Sequence, residues 1–418
     1  MQAPAQPEPA AAPRLKFNPY DPAFRTNPHV VYDRLRSEAP FFRTLGTVVL
    51  TRYDDVAEVL KSRAFSVALI PQTITAHARK LKIEGIEQVE RFINNSIVFT
   101  DNPAHLRLRR LVNQAYSASA IQGLREAIAR EVEAMFDAVA AAGEMDVIRD
   151  LAEPLPVRVL CNWMGVPAAD REFIRAHVHS IRFLLDPGLM TRSEFRAVLS
   201  AMAELVAYFE ERIANGAAAA GQDNLIARLA NARNDDGDRL GEEEVAFAAI
   251  MSFVAGTETT QCLVGNLVNR LLAHPEQLAA IRRDRALIPA AVAETIRVET
   301  PLQLTKRVAL SDYPLGENTI RAGEQVLLCL AAANRDPAQY PEPERYDIAR
   351  EGRPHVGFGY GMHNCLGGAL AQMQVEIVLD ALVRRFASLE RADEREVWQK
   401  HSLILRGLDT LPLRFVTA

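Results

Sequence analysis

Apolar positions in this chain recur mostly at three- and four-residue intervals, the spacing that turns one face of an α-helix toward a core. From about residue 103 onward that period predicts helices over 103–111, 127–142, 155–164, 194–215, 242–273 and 289–298, with a last one over 366–386. Residues 245–256 are apolar on nearly every side, so their helix is expected to be buried all round. Strand signals are short: 46–53, followed by a helix over 54–61, then 305–309, 319–320 and 324–329 among turns. Residues 215–237 read as a helix end and loop, and 337–354 as a Pro-rich irregular segment. No internal repeat and no convincing linker divides the chain. The pattern predicts a mainly α protein, one large helical domain with small β-sheets.

Composition narrows the function classes. The chain has 418 residues, with 48 Lys+Arg against 53 Asp+Glu, a net charge of −5 that argues against nucleic acid or an anionic membrane as main partner. Its longest apolar run, 245–256, is shorter than the roughly 20 residues of a spanning helix, so no membrane anchor is expected. Residues 1–13 have several prolines and no basic stretch, and are expected to be a disordered tail ahead of one catalytic domain over 14–418. The four cysteines form no Cys-x-x-Cys pair, which points to the reducing cytoplasm.

One of those cysteines sits in an unusual setting: Phe358-Gly359-Tyr360-Gly361-Met362-His363-Asn364-Cys365-Leu366-Gly367, just before the last helix. Two glycines allow a tight turn that brings backbone N–H groups near the sulfur. The following helix start favours thiolate over thiol. A shielded, amide-bonded thiolate is what a soft iron ligand requires.

With these residues in place, the sequence resembles the cytochrome P-450 family, whose haem-binding loop reads Phe-Gly-x-Gly-x-His-x-Cys-x-Gly. The resemblance implies the family's fold, with haem b (iron protoporphyrin IX) buried between the long central helix and the cysteine loop. Cys365 would be the axial thiolate ligand of the haem iron, Phe358 would pack over the sulfur, Gly359 and Gly367 would belong to the haem-binding loop, and His363 would contact a propionate.

The central helix carries Ala255-Gly256-Thr257-Glu258-Thr259-Thr260, a charge and three hydroxyls in an apolar setting, costly unless used. A Thr259 hydroxyl can bond back to the Ala255 carbonyl and open the helical ladder, and Gly256 removes a side chain where something flat could approach. The family's distal motif matches Ala255, Gly256, Glu258, Thr259 and Thr260. It implies that Glu258 and Thr259 are the catalytic acid–alcohol pair delivering protons to dioxygen.

Further charges fit the same resemblance. Glu294 and Arg297 share a helical face, and the family adds an Arg from a later segment, here Arg345, to make a structural network. His105 and Arg109 also share a face. With Arg307 and His363 they are implied to hold the two haem propionates. Arg107 and Arg110 point elsewhere, either solvated or forming a docking patch for an acidic electron-transfer protein.

The implied activity is that of a haem-thiolate monooxygenase, inserting one atom of O2 into an apolar small molecule by hydroxylation or epoxidation, in secondary metabolism. Electrons would come from NAD(P)H through a reductase and a ferredoxin or flavodoxin, to a cytoplasmic monomer. A peroxide-driven peroxygenase and a non-catalytic haem-thiolate sensor are the competing readings; the acid–alcohol pair disfavours the first, and NAD(P)H-dependent turnover with added ferredoxin and reductase separates the second. By family position the substrate would meet residues 69–98 and 182–190, Met251, Ser252, Leu302, Leu304 and Leu403, which are mostly aliphatic.

Overall fold

The computed structural model describes residues 15–44, 46–187, 190–219, 221–351 and 354–418, apart from the side chains of Leu69 and Ile70. The tail expected over 1–13 lies outside them. The helices that build the site are α1 (His29–Glu38), α2 (Tyr53–Lys61), α3 (Leu69–Lys80), α4 (Glu87–Asn94), α5 (Ala104–Ala115), α6 (Arg125–Ala140), α7 (Pro154–Trp163), α8 (Arg171–Ile181), α9 (Arg192–Arg212), α10 (Glu242–Gly256), α11 (Glu258–Ala273), α12 (Ile288–Val298) and α13 (Gly368–Arg385).

Strands are few and short. β1 (Phe41–Thr44), β2 (Thr47–Leu50), β3 (Phe65–Ser66), β4 (Leu304–Ala309) and β5 (Gln325–Cys329) form one sheet in the order β1-β2-β5-β4-β3. Only β2 and β5 run parallel, with Val48 opposite Val326. On the antiparallel β4, Arg307 stands opposite Val326 and so has a fixed place in the sheet.

The core is helical. On α10, Phe247, Ala249, Ile250, Phe253 and Val254 are all buried, as expected of a helix apolar on every side. Each large apolar side chain buried this way stabilises the fold by about 1.5–3 kcal/mol. The 32-residue span Glu242–Ala273 is, among the described residues, the one helical stretch long and apolar enough to cross a membrane, and most of it is buried inside the protein.

Three expectations change. The helix expected over 242–273 is two helices, interrupted at Thr257, whose φ of −90° and ψ of −67° lie at the edge of the right-handed helical region between α10 and α11. The helices α1, α3, α4 and α8 were not predicted; they are short, and such helices owe most of their stability to tertiary packing of one apolar face.

The third change concerns the buried charges. Glu294 receives two bonds of 2.7 Å from Arg297, both side chains being almost wholly buried. The second cation on Glu294 is not Arg345 but Arg350, whose Nε lies 3.1 Å from Oε1. The next residue, Tyr346, takes the buried slot and places its hydroxyl 3.0 Å from Thr295 Oγ1. That turns Arg345 outward, 58% exposed, to pair with Glu342. Arg345 serves the network only through its carbonyl, which accepts from Arg297 and Arg350.

Candidate active site

The loop before α13 is shaped by its two glycines. Gly359 and Gly361 have φ of +67° and +71°, a region costly for side-chain-bearing residues. A Cβ on Gly361 would sit 2.5 Å from the Leu60 carbonyl oxygen of α2, so only glycine lets the loop lie on that helix. The Cys365 N–H donates to the Phe358 carbonyl at 2.8 Å, closing the loop, and the Phe358 ring packs on Gly368.

Cys365 stands apart from the other cysteines. Cys161, Cys262 and Cys329 are buried, and burial pushes their thiols up, that of Cys161 to about 12. Cys365 instead has its surface open to a cavity of about 580 Å³ that His105, Arg109 and Tyr116 also line. Depth raises its thiol too, but the amides of Gly367 and Gly368 and the Arg109 charge oppose the rise.

Around this sulfur four nitrogenous side chains converge. The His105 and His363 rings lie 4.1 Å apart, and each has a buried Nε2 with no partner. Burial, then the charges of His105, Arg307 and Arg109, depress His363 to about 3. Burial and Arg109 lower His105 as well. Arg307 is buried and depressed to about 10 by that burial; it donates to the neutral Thr305 hydroxyl and Lys306 carbonyl. Arg109 donates to the Asn364 carbonyl and Oδ1, both at 2.9 Å, so it also braces the cysteine loop. Neither Arg pairs with a carboxylate among the described residues.

Across the core, Thr259 Oγ1 donates to the Ala255 carbonyl at 2.9 Å, the bond its position in the sequence predicted. Thr257 makes the equivalent bond to Phe253, and the helix breaks there. A Cβ on Gly256 would meet Leu160 Cδ1 at 3.4 Å, so this glycine fits the contact with α7. Glu258 is paired with Arg182 at 3.1 Å and His401 at 3.4 Å. The hydroxyl of Ser252, expected to face substrate, accepts from Tyr116 at 2.7 Å and donates to the Ala248 carbonyl.

The family model for cytochrome P450 matches residues 173–408. Over 404 residues the chain is 36% identical to the biotin biosynthesis cytochrome P450 of Bacillus subtilis, covering 94% of this chain and 97% of that one. The chain belongs to the cytochrome P450 family. It is also 34% identical over 409 residues to the 6-deoxyerythronolide B hydroxylase of Saccharopolyspora erythraea, covering 94% and 97% of the two chains. The solved structure of P450BioI in complex with hexadec-9Z-enoic acid ligated acyl carrier protein has the same fold, with a TM-score of 0.85 and 34% identity over 94% of this chain and 99% of that one. The protein is therefore a cytochrome P450 monooxygenase that uses haem b, on the mainly helical fold that the sequence suggested.

The residues present suit a haem. Two unpartnered imidazole nitrogens and two guanidinium groups lacking a carboxylate are what a dianionic macrocycle edge would satisfy. One thiol faces the same cavity.

Sequence reasoning missed Arg182, His401 and Asn364. Arg182 opens the segment assigned to substrate contact and His401 lies two residues before Leu403, but their meeting at Glu258 has no local signal. Arg107, offered as half of a docking patch, is bound to Asp238 at 2.8 Å and Glu244 at 2.6 Å, tying α5 to α10. Its charge is spent inside the fold, which leaves only Arg110 of that pair exposed.

Proposed function

We propose that this monooxygenase inserts one oxygen atom from O2 into a C–H or C=C bond of an apolar or amphipathic small molecule, as a tailoring step in secondary metabolism. For hydroxylation the balance is R–H + O2 + two electrons + two protons giving R–OH + H2O. The electrons come from NAD(P)H through a reductase and a ferredoxin or flavodoxin. Similarity to a protein named as a hydroxylase supports this reaction. Four free cysteines support placing the chain, as a monomer, in the cytoplasm.

The observation that carries the reading is Cys365, amide-bonded by Gly367 and Gly368 and open to a cavity beside unpaired cations. When bound, the haem supplies oxygen activation at its iron, to which a thiolate ligand contributes electron density that favours O–O cleavage. Cys365 would hold the iron, and His105, Arg109, Arg307 and His363 would hold the propionates, with Ala255 and Gly256 of α10 contributing to the haem pocket. Thr259 presents a proton at Oγ1. Glu258, partly exposed, exchanges protons with water and passes them to that hydroxyl. Met251, buried and apolar on α10, favours an apolar substrate, whereas Leu304 packs with Phe24, Tyr32 and Leu35 and takes no part in that choice.

The test is the carbonyl spectrum of the reduced, haem-loaded protein with NAD(P)H-dependent turnover on added ferredoxin and reductase. Cys365→Ser is expected to lose the thiolate-type spectrum and the turnover together; a variant that kept the spectrum would remove Cys365 from the iron.

A further inference from the structure

An acidic chain with a strongly basic patch at one place calls for an explanation. Arg79 and Lys80 end α3, and Lys82 follows at once. Arg192 opens α9 and donates to the Lys82 carbonyl at 3.4 Å, so the two segments touch. Arg196 stands one turn further along α9. All five side chains are exposed, and none pairs with a carboxylate among the described residues.

Codon bias toward Arg does not account for the patch, since two of the chain's six lysines lie in it. Nor does local helix chemistry. Arg192 occupies the first position of α9, where the macrodipole disfavours a cation. The one acid of that turn, Glu194, is consumed by the capping box with Thr191. Lys82 has a φ of +53°, a conformation unfavourable for a residue with a Cβ. Glu84, exposed nearby, leaves the patch with an excess of positive charge.

The patch lies where the two substrate-contacting segments meet. His77 of α3 reaches the Met190 carbonyl at 2.8 Å, joining 69–98 to 182–190. Five cations spread over two elements exceed what one small carboxylate needs, which one or two such groups satisfy. They fit an acidic macromolecular face, in a chain whose net charge is −5.

We propose that Arg79, Lys80, Lys82, Arg192 and Arg196 form the docking surface for an acidic carrier protein that presents an acyl substrate tethered as a thioester. The proposal rests on the monooxygenase reading and on the substrate entering between α3 and α9. The similar structure solved with an acyl carrier protein supports this choice of occupant.

The experiment uses haem-loaded protein, with hexadecenoyl-acyl carrier protein and free hexadecenoate as probes of binding at low and high salt. The carrier-borne chain is expected to bind more tightly than the free acid, and salt should weaken only the former. The triple reversal Arg79→Glu, Lys82→Glu, Arg192→Glu should lower carrier affinity about tenfold or more and leave free hexadecenoate unaffected. Lys82→Glu alone, should the triple variant misfold, is expected to give a smaller loss in the same direction. Equal affinity for both probes, or a reversal without effect, would overturn the proposal. So would a reversal that impaired reduction by ferredoxin or binding to phosphatidylglycerol vesicles in place of carrier binding. The carbonyl spectrum of the same samples reports separately on the haem-thiolate reading.

Discussion

The Glu258 carboxylate is clasped from two sides, by Arg182 Nε at 3.1 Å and His401 Nε2 at 3.4 Å. Arg182 follows the end of α8 and His401 belongs to the C-terminal loop, so the acid beside the helix break is positioned by two segments distant in sequence. Glu258→Gln is expected to slow turnover about 100-fold and to enlarge the solvent deuterium isotope effect. Arg182→Ala should enlarge that isotope effect while the carbonyl spectrum stays that of a thiolate. An unchanged isotope effect in both variants would remove Glu258 from proton delivery.

Thr259 offers a different readout. With Ala there, the bond to the Ala255 carbonyl disappears and position 259 no longer presents a hydroxyl proton. Thr259→Ala should still bind haem and substrate, yet release NAD(P)H electrons as peroxide. Product formed in full proportion to NAD(P)H consumed would contradict this role.

The network around Glu294 uses Arg350 where sequence reasoning named Arg345. Arg350→Ala removes a nearly buried cation from Glu294 and should cost about 3–5 kcal/mol in unfolding free energy. Arg345→Ala, exposed and used only through its backbone, should cost within about 0.5 kcal/mol. Denaturant titration of the two variants decides between them.

His29 supplies a pH dependence. Burial first, then the charge of Arg335, depresses it to about 4, despite Glu299 at 3.7 Å. Between about 4 and 6.5 the unfolded chain binds this proton and the folded one does not, so protonation favours unfolding. The stability tied to His29 is thus complete above pH 6.5 and is lost as pH falls toward 4, at most about 3 kcal/mol. Subtracting the unfolding curve of His29→Gln from that of the parent over this interval should expose the slope; parallel curves would rule it out.

Much of the site was legible in the sequence because its chemistry is local. The loop from Phe358 to Gly367, the hydroxyl-to-carbonyl step from Thr259 to Ala255, and the shared face of His105 and Arg109 all depend on neighbours within ten residues. What sequence reasoning missed depends on distant pairs. Arg350 replaces Arg345 because Tyr346 claims the interior, and Arg107 turns to Asp238, 131 residues away. Helices such as α4 escaped notice because other elements complete their packing. The break at Thr257 was not foreseen, because the sequence pointed to Thr259 as the residue that opens the helix, and Thr259 bonds to Ala255 while the interruption falls two residues earlier.

The 2.5 Å that would separate a Gly361 side chain from the Leu60 oxygen means that the cysteine loop is cast against a mould supplied by the first sixty residues. A truncated polypeptide beginning at residue 173, where the family match starts, would retain every atom of that loop but not the surface that gives it its curvature. The cysteine loop is, in this sense, finished by a helix that lies far earlier in the chain.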